Sequence, residues 1–325
     1  MKIMNNKKII GALSVLALSL VSVLPLRAQS SRPLQFLETP TDARTAAMGN
    51  VTLTKTDRNY LYTNPASIFN SDAKWTVTAT GLTHMIPKND MLSGNLLFGS
   101  VTAGYRFLDR HVVYLGYRYQ GGLSIKGGSS DQWGTNKRST APFDMAVDMG
   151  YAFKISDALA AYASGSFIQS YTGRVAYTGA FSIGANYLLT MSETSDLNLG
   201  LRVADFGPSI NYSTKDAFAL PSNAQLTADY GCAFNDQHKV RAVIGGKYYF
   251  LPANAQVIQA NVGAEYTLYN IASLRAGFQY GTKDTSLWSA GLGAAFSGIK
   301  LDFAYLGALN KYGADRLMLT LSYDF

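Results

Sequence analysis

The feature that most constrains this chain is strict alternation of residue type. In residues 144–154, Met145, Val147, Met149, Tyr151 and Phe153 fall on one face of an extended chain, and Asp144, Ala146, Asp148, Gly150, Ala152 and Lys154 on the other. In 315–325, Leu317, Leu319, Leu321, Tyr323 and Phe325 oppose Arg316, Met318, Thr320, Ser322 and Asp324. Around residue 260, Ile258, Ala260, Val262, Ala264 and Tyr266 oppose Gln259, Asn261, Gly263 and Glu265. Successive side chains of a β-strand point to opposite faces, so each segment reads as a strand with one apolar face and one polar or small face.

A soluble sandwich also alternates, but three further features separate the two cases. The segments run for about nine to thirteen residues, whereas soluble strands average ~5–6 residues and a tilted membrane strand needs ~9–11. Their apolar faces often end in an aromatic residue, as at Tyr151, Phe153, Tyr248, Phe250, Tyr266, Phe278, Tyr280, Phe296, Tyr305 and Tyr323, which is the pattern of an interfacial girdle. The opposite faces carry small and charged residues suited to a crowded polar lumen. Charged residues make up only 15% of the chain, against ~25% in soluble domains, and the 21 tyrosines suit a boundary where the ring is dry and the hydroxyl wet.

The fold class this predicts is all-β: a transmembrane antiparallel β-barrel of about 14 strands with an N-terminal hatch segment in the lumen. Candidate strands cover 75–83, 94–105, 111–121, 144–154, 159–169, 175–188, 196–205, 223–233, 238–250, 256–268, 271–280, 286–296, 299–306 and 315–325. The connections test this independently. Those at 108–110, 156–157, 191–194, 235–237, 269–270 and 297–298 are short, and the long ones, 84–94, 122–143 and 207–222, all belong to the other set.

Both ends of the chain fit export to an outer membrane. Lys2, Lys7 and Lys8 precede an apolar run over 9–24, and Leu26-Arg27-Ala28 places a small residue before Gln29, so residues 1–28 read as a cleavable signal peptide. Its four bases account for much of the chain's +7 and leave +3 on the remainder, which removes the charge argument for nucleic-acid binding. The final strand stops in mid-pattern on Phe325, resembling the signal by which outer-membrane proteins reach their insertion machinery. The expected surroundings are outer-membrane lipid and lipopolysaccharide.

Residues 29–74 precede the barrel, 75–325, and do not alternate. The Ala-rich stretch 41–48 predicts one or two helical turns ended by Gly49. Asn64-Pro65 marks a turn with Pro65 opening a second short helix. The segment contains Phe36, Leu37, Met48, Tyr60, Leu61, Tyr62, Ile68 and Phe69, too many apolar groups to remain in water, and the lumen is the nearest place to bury them. Charges on the inward faces are available there for Asp42 and Arg44.

These residues carry a family resemblance. Phe36-Leu37, then Asp42-Ala43-Arg44, Met48-Gly49 and Asn64-Pro65-Ala66 resemble the start of the PorV/PorQ proteins of the type IX secretion system in Bacteroidetes, which belong with the FadL-like fatty-acid transporters. The match covers about 35 residues. The strand number extends it along the chain, since that superfamily has fourteen strands and a lumenal hatch. The resemblance implies a non-enzymatic barrel assisting type IX secretion or surface attachment, with secretion-system proteins or cargo C-terminal domains as partners. The alternative is a FadL-like transporter of hydrophobic small molecules, whose hatch gates a path to a lateral opening in the wall. An apolar pocket under the outer loops distinguishes the second role. Residues 127–141 are polar apart from Trp133, which tilts the reading toward partner binding.

Catalytic, cofactor and metal sites are not expected. His84 falls in a predicted loop and His111 and His238 at predicted strand starts, without metal-ligand spacing, and all three read as solvent-facing. Cys232 continues the apolar face of Ala224, Leu226, Ala228 and Tyr230 and reads as lipid-facing. Ser164 and Ser289 have no nucleophile context, and Gly121–Gly128 lacks Walker spacing. The inward charges Arg118, Asp144, Asp148, Lys154, Arg202, Asp229, Lys239, Arg241, Lys247, Glu265, Arg275, Lys300, Asp302 and Arg316 read as a pairing network holding the hatch, with a solute-selectivity lining as the alternative.

Overall fold

The structure is a computed structural model describing residues 34–86, 92–126, 139–213, 216–283, 285–310 and 313–325. The signal-peptide segment and Trp133 lie outside the described residues. Fourteen antiparallel strands form a closed barrel: β1 (Trp75–Met85), β2 (Leu92–Phe107), β3 (His111–Lys126), β4 (Phe143–Lys154), β5 (Leu159–Tyr171), β6 (Val175–Thr190), β7 (Ser195–Phe206), β8 (Asn223–Ala233), β9 (His238–Tyr249), β10 (Val257–Leu268), β11 (Ala272–Gly281), β12 (Leu287–Phe296), β13 (Ile299–Ala308) and β14 (Asp315–Asp324). Each strand pairs with its sequence neighbours, and β1 pairs with β14 to close the ring.

Closure leaves no open edge, which is what allows a sheet to sit in hydrocarbon. The seam is sealed at its end, where the Trp75 amide donates to the Phe325 carbonyl at 2.8 Å and the Phe325 amide donates to Trp75 at 3.0 Å. The alternation sorts the faces. On β14, Leu319 is 52% exposed and Thr320 0%; large apolar groups such as Leu115, Met149, Phe167, Leu274 and Leu292 likewise stand on the outside. In a water-soluble protein this belt would be a severe liability; against lipid it is the expected surface.

One end of the barrel carries short turns, some of them with backbone of the kind that matches strand twist. Tyr269-Asn270 and Ser297-Gly298 have positive φ at both central positions, as type I′ hairpin turns require. Rings cluster outside this end: Trp75 with Tyr105 and Phe325, and His111 with Phe107, Tyr151 and Phe153. The opposite end carries the long connections. There Asp205 (φ 56°) lies in a bulge of β7 that breaks the β6–β7 register. The following loop folds back onto β6, with Thr178 donating to the Pro208 carbonyl at 2.8 Å. Within it Ile210–Ser213 pairs with Asp216–Phe218, and Ile210 and Leu220 are buried.

One histidine, His84, corrects the expectation of a solvent-facing ring. β1 runs two residues beyond its predicted end and places His84 on the lumen side, with Nε2 buried. His111 and His238 do begin strands, but each Nδ1 lies 2.6 Å from a tyrosine hydroxyl, Tyr151 and Tyr266 respectively. They are members of the aromatic rim rather than free groups.

Candidate functional site: the hatch in the lumen

Residues 34–74 fold inside the ring as a chain of short elements: a 3-10 turn Gln35–Glu38, helix α1 (Ala43–Ala47), helix α2 (Tyr60–Thr63) and a 3-10 turn Pro65–Asn70. Helices this short do not hold themselves together, so side chains and the wall must do so. Asp42 caps α1, accepting from the Thr45 amide at 2.8 Å through one oxygen and from the Thr63 hydroxyl at 2.7 Å through the other. It thereby ties α1 to α2. The sequence-based expectation that a cation pairs with Asp42 is not met; its two oxygens are occupied by a cap and a hydroxyl. Asn64 caps the second turn by accepting from the Ala66 amide at 3.2 Å, and its Nδ2 donates to the Thr54 carbonyl and to Asn186 Oδ1, both at 3.0 Å. Pro65 occupies the first position of that turn, where its missing N–H costs nothing. Its carbonyl accepts from the Tyr114 hydroxyl on β3 at 2.7 Å.

Gly49 explains the Met48-Gly49 element. Its φ is +70°, and a Cβ there would stand 2.5 Å from the Val262 carbonyl oxygen. The wall opposite is thinned to match: Gly263 and Gly277 are cross-strand partners on β10 and β11, and a Cβ on either would strike the Met48-Gly49 backbone at 2.4 Å or less. The hatch therefore touches the wall backbone to backbone, as glycine permits. Asn261 donates to the Gly49 carbonyl at 2.6 Å, the Gly49 amide donates to Ser289 at 3.1 Å, and Ser289 donates to the Ala47 carbonyl at 2.9 Å. Ala43, 0% exposed, donates its amide to Thr320 at 2.8 Å.

Around these contacts runs one connected set of charges. Arg44 grips Glu265 on β10 through Nε at 2.9 Å and its terminal nitrogen at 2.8 Å. Glu265 also takes Arg275 on β11 at 2.5 Å, and Arg275 reaches Asp302 on β13 at 2.6 Å. Asp302 faces Arg58 of the hatch at 3.0 Å. Lys300 bonds the Asp57 carbonyl at 2.7 Å and Asp324 on β14 at 2.6 Å, and Tyr60 donates to Asp324 at 3.1 Å. Two smaller sets complete the docking. Arg118 and the Tyr62 hydroxyl both reach Asp148, with the guanidinium 4.7 Å from the Tyr62 ring. Lys55 bonds Asp196 at 2.7 Å and, through its amide, Asp229 at 2.6 Å, and Arg241 bridges the same two carboxylates. In a low-dielectric interior such pairs are strong once made and costly when half broken.

The motif residues Asp42, Ala43, Arg44, Met48, Gly49, Asn64, Pro65 and Ala66 all lie in the lumen and are buried. Arg58, Asp57 and Lys55 carry as much of the docking as Arg44 and were not singled out in the sequence. The available signal was their position in a segment that has to be buried, opposite a wall rich in carboxylates. Inward glycines on adjacent strands, Gly263 and Gly277, were a second unread signal.

The described residues leave several hollows in the lumen. One of about 350 Å³ opens at the loop end and includes His84, Gln120 and Arg316. One of about 480 Å³ lies at the short-turn end between Lys55, Asp196 and Arg241. A third of about 70 Å³ is enclosed between hatch and wall beside Tyr62, Arg202 and Lys247. On the β5–β6 side of the lumen, Leu34, Phe36 and Leu37 belong to one apolar cluster with Ile168, Ala176, Ala180, Ile210 and Leu220.

No family model matches the chain, and no curated protein matches it. Solved structures do. The toluene transporter TbuX of Ralstonia pickettii is 15% identical over 87% of this chain and 98% of its own, with a TM-score of 0.59. The toluene transporter TodX of Pseudomonas putida is 13% identical over 87% and 98%, TM-score 0.59. A FadL homologue of Pseudomonas aeruginosa is 12% identical over 88% and 98%, TM-score 0.52. The likeness is one of fold: a FadL-like barrel.

Proposed function

We propose that this chain is an outer-membrane transporter of hydrophobic small molecules, closed at rest by its hatch. The observation that carries the reading is the arrangement of the lumen: a hollow at each end, a hatch between them, and an apolar cluster seated directly under the 207–222 loop. The apolar outer belt and aromatic rims support the outer-membrane location, and on this reading the short turns face the periplasm. Proteins of the same fold are described as toluene transporters, which supports a hydrophobic cargo here. The cluster of Phe36, Leu37, Ile168, Ile210 and Leu220 is fully packed while the hatch is seated, and withdrawal of Phe36 and Leu37 with the hatch is what uncovers a dry surface for the cargo. The hatch is held by apolar packing against the wall and by the hydrogen bonds and ion pairs described above. Displacement of the hatch is the step that opens the path. This reading contains no chemical step.

Uptake tests it. Cells without their own porin for hydrophobic compounds are to be supplied with this protein and given labelled toluene or oleate at limiting concentration. Faster uptake with the protein than without it is expected; equal rates refute transport. A second reading, a PorV/PorQ-like partner in type IX secretion, is favoured by the Asp42-Ala43-Arg44, Met48-Gly49 and Asn64-Pro65-Ala66 elements. It predicts that detergent-purified protein brings down secretion-system proteins or the C-terminal domain of an exported chain.

A further inference from the structure

The loop-end hollow contains a cation, Arg316, that has no counter-ion among the described residues. Elsewhere in the lumen Arg44 meets Glu265, Arg58 meets Asp302, Arg118 meets Asp148, Arg241 meets Asp229, and Arg275 meets Glu265 and Asp302, while Arg202 donates to the Tyr62 carbonyl and Gln225, and Arg106 to the Ser71 carbonyl. Arg316 on β14 departs from this pattern. It lines the hollow, and among the described residues its guanidinium has no hydrogen-bond or ion-pair partner. Its cross-strand partners are His84 on β1 and Leu306 on β13, so neither supplies an acid at this register. His84 adds a buried Nε2 that also lacks a partner, and Lys283 adds a second cation to the lining. Glu38 is the one carboxylate in the lining among the described residues.

The rest of the wall is polar. Gln120, Gln259, Gln279, Thr39, Thr285 and Ser286 line it. Gln279 is taken up by Asn261 and the Thr285 carbonyl, which leaves the amides of Gln120 and Gln259 for a ligand, and Gln259 Oε1 is buried without a donor. Phe, Tyr and Trp are absent from the lining among the described residues, so its character is polar rather than that of a site for aromatic hydrocarbons. A guanidinium in a partly dry hollow is retained where something shares its charge, and its planar fork matches a carboxylate.

We propose that the loop-end hollow is a binding site for a small hydroxylated carboxylate, with Arg316 holding the carboxylate and the glutamine amides taking the hydroxyls. The site is separate from the apolar cluster assigned to hydrophobic cargo. It rests on the transport reading for its role, as a first contact at the outer mouth, but binding is measured without any flux. Failure of uptake and failure of binding are therefore independent outcomes.

The test uses the full-length protein in detergent, sodium gluconate as probe and saturation-transfer NMR as readout, at constant chloride. Sorbitol, which keeps the polyol chain and lacks the carboxylate, is the control. Gluconate is expected to receive saturation and sorbitol not. Arg316→Met is expected to weaken gluconate roughly tenfold or more, and Arg316→Lys, which keeps the charge and loses the fork, to fall between that variant and the wild type. Gln259→Leu, which leaves the charge in place, is expected to weaken gluconate while leaving assembly intact, and it keeps the test alive if Arg316→Met does not assemble. Equal signals from gluconate and sorbitol overturn the proposal, as does gluconate affinity unchanged in both the Arg316→Met and Gln259→Leu proteins.

Discussion

Removing the Arg44 guanidinium is the sharpest perturbation of hatch docking. Arg44 is 3% exposed and Glu265 8%, so the pair is shielded from water, and both of its hydrogen bonds are short. Deleting one member of a buried pair costs about 3–5 kcal/mol because the other is left uncompensated. Glu265 keeps Arg275 at 2.5 Å, so Arg44→Ala belongs at the low end, about 3 kcal/mol. Glu265→Ala strands Arg44 outright and belongs at the high end. Because the lost contacts join hatch to wall, the cost falls on docking and leaves the strand ladder intact. At 1.4 kcal/mol per tenfold, about 3 kcal/mol raises the undocked population roughly a hundredfold. The assays are single-channel recording in planar bilayers and limited proteolysis of the 34–74 segment. Arg44→Ala is expected to show openings and hatch cleavage on a timescale where the wild-type protein is silent and intact, with both effects larger for Glu265→Ala. Wild-type silence and protease resistance in both variants would refute the claim that this pair holds the hatch.

Other outcomes follow from the same geometry. Gly49→Ala and Gly263→Ala each place a Cβ within 2.5 Å of facing backbone, so both should give assembled but leaky barrels; silent channels would show that the backbone contact is not required. Leu319→Arg puts a charge on the lipid face and should cut barrel yield, at about 2–4 kcal/mol near the midplane. Thr320→Arg should spare the barrel but expel α1, because Thr320 is fully buried and bonded to the Ala43 amide. Equal barrel yields for these two would place the faces wrongly. The detergent-extracted protein should run faster unboiled than boiled, since a closed ring has no edge from which to unzip; identical migration would contradict closure.

The barrel was legible because its rule is local and repeated. Alternation over each segment sets which residues face lipid, and register is then pinned by the cost of turning Leu319 or Val262 inward. The strand ends were less legible. β1, β2 and β3 continue past the predicted ends because pairing in tall hairpins persists after the lipid-facing pattern fades, and this is why His84 read as a loop residue. The hatch was legible as a buried segment from its apolar content and its turn residues. Its contacts were not, because a lumenal wall is two-dimensional and Arg44 meets Glu265 across 221 positions of sequence. Asp42 illustrates the limit: an aspartate before an Ala-rich helix reads equally as a cap or as half of an ion pair, and only the place of Thr63 decides it. The unpaired state of Arg316 was invisible for the same reason, since an inward arginine declares its face and not its neighbours.

The central claim is that residues 34–74 close the lumen. Deleting residues 33–70 and recording ion conductance in planar bilayers, alongside the intact protein, measures it directly. The account predicts an assembled, heat-modifiable barrel that conducts steadily when the segment is gone, and a silent barrel when it is present. An intact protein that conducts as freely as the deletion variant would contradict it.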